Sequence, residues 1–129
     1  MYKKVEEARA VRTIEWKNGV VVTIDQTKLP SKVDYVEIKT CREMADAIKT
    51  MKIRGAPVLG VAAAYGLALT AYHSKAQTKE DLSKEVEASA ELLRKTRPTA
   101  VNLFWAIDRV LNKMKTTHGD VHDVAMIVV

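Results

Sequence analysis

From Ala56 to Ser74 the chain carries no Asp, Glu, Lys or Arg, and Pro57 stands at the start of that stretch. Proline at a helix's first position loses nothing, because its missing N–H has no intrahelical role there. The run Val58–Leu69 therefore reads as a helix, and it is apolar nearly all round rather than along one stripe. Such a helix must be covered on most faces. It falls short of the ~20 apolar residues that a membrane span needs, so the covering has to come from protein. Gly60 and Gly66 weaken it as an isolated helix. Close approach of neighbouring elements is the expected compensation. The fold must therefore be a bundle built around this segment.

The remaining elements fit that requirement. Arg12 to Ile24 reads as a β-hairpin turning at Asn18-Gly19, a pair that tolerates the positive φ angles of a type I′ turn. Asp25 to Pro30 is a polar connection, and Val33 to Ile38 a third strand with Val33 and Tyr35 on one face, Val36 and Ile38 on the other. Thr40 and Glu43 form a capping box that starts a helix burying Met44, Ala47, Ile48 and Met51. Thr78 starts another, with Leu82, Val86, Ala90 and Leu93 inward and Lys84, Glu85, Glu87 and Glu91 solvated. After the break at Arg97-Pro98, a last helix from Ala100 to Met114 buries Leu103, Ile107, Val110 or Leu111, and Met114, with Phe104 and Trp105 widening its apolar face. The expected class is α+β: a single domain with a small antiparallel sheet over residues 10–38, a helical bundle over 40–117 and a divergent tail over 118–129.

Composition narrows the function. With 129 residues, 47% hydrophobic and 29% charged, the chain can build a real core. The net charge of +5 suits an acidic ligand. The basic residues are dispersed among Asp and Glu and lack an aromatic platform, which argues against nucleic acid. A single cysteine allows no internal disulfide, and Met1 to Ala10 lacks the charged-then-apolar order of a secretory signal, so the expected compartment is cytoplasmic, with no membrane partner.

The candidate site is Arg54-Gly55-Ala56, just ahead of the central helix. A helix N-terminus presents unpaired N–H donors and partial positive charge, and arginine adds a planar fork suited to phosphate or carboxylate. The alternative is a tight interhelical turn with Arg54 on a neighbouring carbonyl. Arg97 is a second arginine held ahead of a helix start, by Pro98. Spacing alone leaves open whether the two converge. Cys41, in a helix's first turn, has no base or second cysteine beside it and reads as a small semi-buried residue. His118 and His122 stand at i, i+4, but no further ligand accompanies them, so no metal is assigned. The apolar end Ala125–Val129 reads as a segment that tucks into the core or marks an interruption. Together with the central helix it predicts self-association into a homo-oligomer.

Four runs occur in an order that carries a resemblance: Arg12–Trp16, Asp25–Pro30, Met51–Pro57 followed by Gly60–Gly66, and Thr96–Leu103. They resemble the N-terminal part of 5-methylthioribose-1-phosphate isomerases. That superfamily includes ribose-1,5-bisphosphate isomerase and the regulatory alpha, beta and delta subunits of translation initiation factor 2B. The resemblance implies a small sheet and helical bundle preceding a Rossmann-like domain, which this sequence does not match. It implies aldose–ketose isomerisation of a sugar phosphate in methionine salvage, without a cofactor. Arg54, Gly55, Ala56 and Arg97 are thereby assigned to substrate binding. The family's catalytic cysteine and aspartate belong to the second domain, so no residue of this chain is assigned a catalytic role, and isomerisation by this chain alone is not expected. The alternative is a non-catalytic regulatory or assembly domain related to the initiation-factor subunits. The Arg97-Pro98-Thr99-Ala100-Val101-Asn102-Leu103 run favours the isomerase branch.

Overall fold

The computed structural model describes residues 14–116. The expected contributions of Arg12, Thr13, His118, His122 and Ala125–Val129 lie outside that range. Strands β1 (Ile14–Lys17), β2 (Val20–Ile24) and β3 (Tyr35–Ile38) form one antiparallel sheet in the order β1-β2-β3. Asn18 and Gly19 both take positive φ, 51° and 85°, as the type I′ turn requires. Gly19 is required twice over, because a Cβ there would run into the Tyr72 ring. Trp16 pairs with Val21, and Val21 with Ile38, so one row across the sheet faces the helices. The third strand starts two residues later than Val33, which is exposed.

Four helices follow: α1 (Cys41–Lys49), α2 (Ala56–His73), α3 (Lys79–Arg94) and α4 (Val101–Thr116). The Thr40–Glu43 capping box closes at both ends, with Glu43 N–H donating to the Thr40 hydroxyl and Thr40 N–H to the Glu43 carboxylate. Thr78 caps α3 by accepting from Asp81 N–H. The α3 stripe Leu82, Val86, Ala90 and Leu93 is fully buried. Helix α2 is the axis: it packs against α1, α3, α4 and β1. The sheet meets it through Trp16, whose ring lies 5.9 Å from Tyr65 and 5.6 Å, edge-on, from Tyr72. His73 Nε2 donates to the Gly19 carbonyl at 2.8 Å, which fixes the hairpin tip to the end of α2. No helix among the described residues is long and apolar enough to cross a membrane.

The connection after β2 is not a plain loop. Asp25 is buried and caps a 3-10 turn over Gln26–Lys28, its carboxylate accepting from the Thr27 hydroxyl and the Thr27 N–H. The Thr27 hydroxyl is the main influence holding the Asp25 carboxyl below its usual value; desolvation opposes it, and the Thr27 N–H, Lys52 and Lys28 reinforce it. A depressed folded value gives stability that is present above the ordinary aspartate range and lost as pH falls through the folded value. Thermal melting should therefore fall off below about pH 4. Asp25→Asn should flatten that fall measurably; identical pH profiles for the two proteins would exclude Asp25 as a contributor.

Candidate functional site

The segment leading to Arg54 is held from two sides. Gln26 N–H, from the 3-10 turn, donates to the Lys52 carbonyl at 2.9 Å. Ile53 N–H donates to the Ala47 carbonyl at 3.2 Å, and the Ile53 side chain is fully buried. Met51 takes φ 70° to let the chain turn back after α1, and its side chain points outward, correcting its expected place on the buried face. The left-handed residue ends the α1 stripe, and Ile53 takes the buried position instead.

Gly55 is the N-cap of α2, with φ 101° and no side-chain capping bond. Space around a built Cβ is open there, so glycine is required by conformation and not by crowding. The helix begins at Ala56, which makes Pro57 its second residue rather than its first. The shift changes nothing chemically, because the second position also lacks an intrahelical acceptor. The first ladder bond runs from Leu59 N–H to the Gly55 carbonyl at 2.9 Å. The N–H groups of Ala56 and Val58 therefore precede the ladder, at the positive end of the helix. Arg54 is exposed and makes no hydrogen bond or ion pair among the described residues, so the alternative that seats it on a neighbouring carbonyl is not what the geometry shows.

Arg97 sits in the turn between α3 and α4, its carbonyl accepting from Ala100 N–H at 3.0 Å. Its Nη1 is shielded from solvent without a hydrogen-bond partner among the described residues. A guanidinium nitrogen shielded in this way is costly unless water, an ion or a ligand reaches it. Helices α2 and α3 run antiparallel, with Ser74 bonded to Glu85, Thr70 to Ser89, and Gly66 against Leu93. The end of α3 and the Arg97 turn thus lie toward the N-terminal end of α2, where Gly60 faces the Asn102 carbonyl. The two arginine turns share one end of the bundle. No bond joins Arg54 to Arg97.

Cys41 lies elsewhere. It packs beside Gly66, its Sγ 3.7 Å from the Ser89 carbonyl, and burial pushes its thiol up to about 11. A thiol in that state is a packing residue, as the sequence suggested.

One feature escaped sequence reasoning. Trp105 is 62% exposed and Val101 74%, instead of broadening the buried face of α4. The buried residues of α4 are Leu103, Ala106, Ile107, Leu111 and Met114. Val101, Trp105 and Arg109 fall at i, i+4 spacing on a separate face, the one signal that marks them out. That face and α2 enclose a groove that starts at Pro57.

Comparison with known proteins follows the same lines. The initiation factor 2 subunit family model matches residues 52–127. A methylthioribose-1-phosphate isomerase from Trichodesmium erythraeum is 49% identical over 116 residues, 90% of this chain and 33% of its own length. One from Pseudothermotoga lettingae is 48% identical over 117 residues, again covering 33% of that protein. The chain spans about a third of the length of these curated relatives. Among solved structures, 5-methylthioribose 1-phosphate isomerase from Pyrococcus horikoshii superposes with a TM-score of 0.87 at 42% identity, covering 92% of this chain and 33% of that one. Subunit delta of translation initiation factor 2B from A. fulgidus superposes with a TM-score of 0.84, also at 42% identity, covering 91% and 34%.

Proposed function

The chain belongs to the initiation factor 2 subunit family, and from that premise we propose that it supplies the phosphate-binding half of a methylthioribose-1-phosphate isomerase site, serving aldose–ketose isomerisation in methionine salvage. The observation that carries this reading is the uncapped start of α2 beside an unpaired, exposed Arg54. The Gly55, Ala56 and Val58 N–H groups and the Arg54 fork are donors without acceptors among the described residues, and a phosphate dianion is the ligand that takes several such donors at once. Arg97 adds a second fork from the neighbouring turn. In a sugar 1-phosphate the phosphate on C1 blocks simple ring opening, so the reaction needs an acid and a polarising environment besides phosphate recognition. The residues of this chain bind and orient; none is assigned to proton transfer. The same reading makes the partner a small sugar phosphate, and puts the chain in the cytoplasm and in a homo-oligomer.

The second reading, a regulatory or assembly domain, draws on the equal identity to the delta subunit from A. fulgidus. A phosphate titration followed by backbone amide shifts separates the two. Gly55 and Ala56 should shift with millimolar affinity, about 4 kcal/mol of binding free energy, and more weakly as salt rises. Arg54→Ala should abolish most of that binding, whereas Lys84→Ala, on the solvated face of α3, should leave it intact. Flat shifts at Gly55 and Ala56 would make the turn structural.

A further inference from the structure

We propose that the outer edge of β3 is a self-pairing surface, along which a second copy of this chain extends the sheet antiparallel, with Tyr35 of each copy opposite Glu37 of the other. This pairing rests on the homo-oligomer of the reading above, names its surface, and does not depend on the phosphate. β3 ends the sheet, so one side of it faces no strand among the described residues. Asp25 N–H donates to the Asp34 carbonyl at 2.8 Å, in step with the β2–β3 register. Successive residues of an antiparallel strand alternate in the direction of their N–H and C=O groups. Asp34, Val36 and Ile38 therefore point them at β2, and Tyr35, Glu37 and Lys39 point them away. Lys39 N–H is already taken, donating to the Glu43 carboxylate at 2.8 Å. The N–H and C=O groups of Tyr35 and Glu37 have no partner among the described residues.

A two-fold axis through Val36 matches these groups to themselves. Tyr35 and the second copy's Glu37 then exchange both hydrogen bonds, and the axis repeats the exchange. The faces stay aligned as well. Val36, packed against the core, meets its own copy on the helix side, whereas Tyr35, 52% exposed, and Glu37, also exposed, meet on the open side. Charge selects this register over its neighbours. An axis through Glu37 would set two carboxylates directly opposite each other, which is unfavourable. An axis through Tyr35 would pair Glu37 with Val33, which lies before the strand. Tyr35 already has Ile24 beside it on β2, so pairing covers its ring from both sides.

Sedimentation equilibrium and amide hydrogen exchange on the whole chain test the pairing. So short an edge gives a weak dimer, expected to form between about 0.1 and 1 mM. Exchange at the Tyr35 and Glu37 amides should slow as concentration rises through that range, while Val36, whose N–H points at β2, stays unchanged. Tyr35→Glu sets like charges opposite each other and should weaken the dimer about tenfold, since the axis counts the pair twice. Adding Glu37→Lys to that variant restores opposite charges and should recover most of the loss. Glu37→Pro removes an outward donor without touching the β2–β3 bonds and should abolish pairing. A strict monomer up to about 1 mM would remove the homo-oligomer and this pairing together. A dimer that neither Tyr35→Glu nor Glu37→Pro weakens would leave the homo-oligomer standing and overturn the edge assignment, as would a dimer lost on Trp105→Ala and kept in Tyr35→Glu. Protection of the Tyr35 and Glu37 amides at every concentration would mean that another part of the same chain already pairs with the edge, and would overturn the assignment too.

Discussion

Replacing Leu93 by alanine should destabilise the domain by about 2–5 kcal/mol. Leu93 is fully buried near the end of α3, and its Cδ1 would lie 3.3 Å from a Cβ built at Gly66 on α2. Gly66 thus lacks a side chain where Leu93 fills the space, and truncating Leu93 leaves that space empty on both sides. Domains of this kind hold roughly 5–15 kcal/mol in total, so the loss is a large share of what keeps the bundle folded. Denaturant titration reads it directly as a lower midpoint at constant slope. Leu92→Ala, one residue away and half-buried, should cost clearly less. A Leu93→Ala loss under about 1 kcal/mol, at the level of a tolerated repacking, would mean that the α2–α3 seam closes over the gap.

Native Cys41 should resist thiol reagents by a factor of about a hundred or more relative to the denatured chain at pH 8. With its thiol pushed up to about 11, the thiolate is present in only about one molecule in a thousand at that pH. Burial adds a steric barrier, since the residue is 5% exposed. Timed labelling with and without denaturant, read by mass, gives the ratio. Rapid native labelling would mean that α1 opens locally and would return Cys41 to the list of reactive groups.

The arginine turns depend on structure far from them in sequence. The Lys52 carbonyl is held by Gln26 N–H, in the connection between β2 and β3, and this bond fixes the chain two residues before Arg54. The small sheet therefore does more than cover α2: through the Asp25-capped turn it sets the path by which Arg54 reaches the helix start.

Elements whose causes are local were legible in the sequence. Asn18-Gly19 makes its own turn, Thr40 and Glu43 close their own box, and Thr78 caps its own helix, because each signal acts within three residues. The α3 stripe was legible because four apolar residues at helical spacing leave one way to face a core. The charge-free stretch around α2 determined that a bundle must surround it, and with it the candidate turn at its start. Tertiary structure alone decided the rest. Asp25 reads as a polar loop residue and is buried, since the 3-10 turn gives its carboxylate partners. Met51 lost the buried face to Ile53 because the chain turns back through a left-handed residue, a choice set by where α2 must begin. Trp105 belongs to the apolar pattern of α4 yet stays exposed, because α2 and α3 already fill the angle around Leu103, Ile107 and Leu111. A sequence specifies which side chains leave water favourably; which of them find a neighbour depends on how many helices meet at each face, and that is fixed only when the bundle assembles.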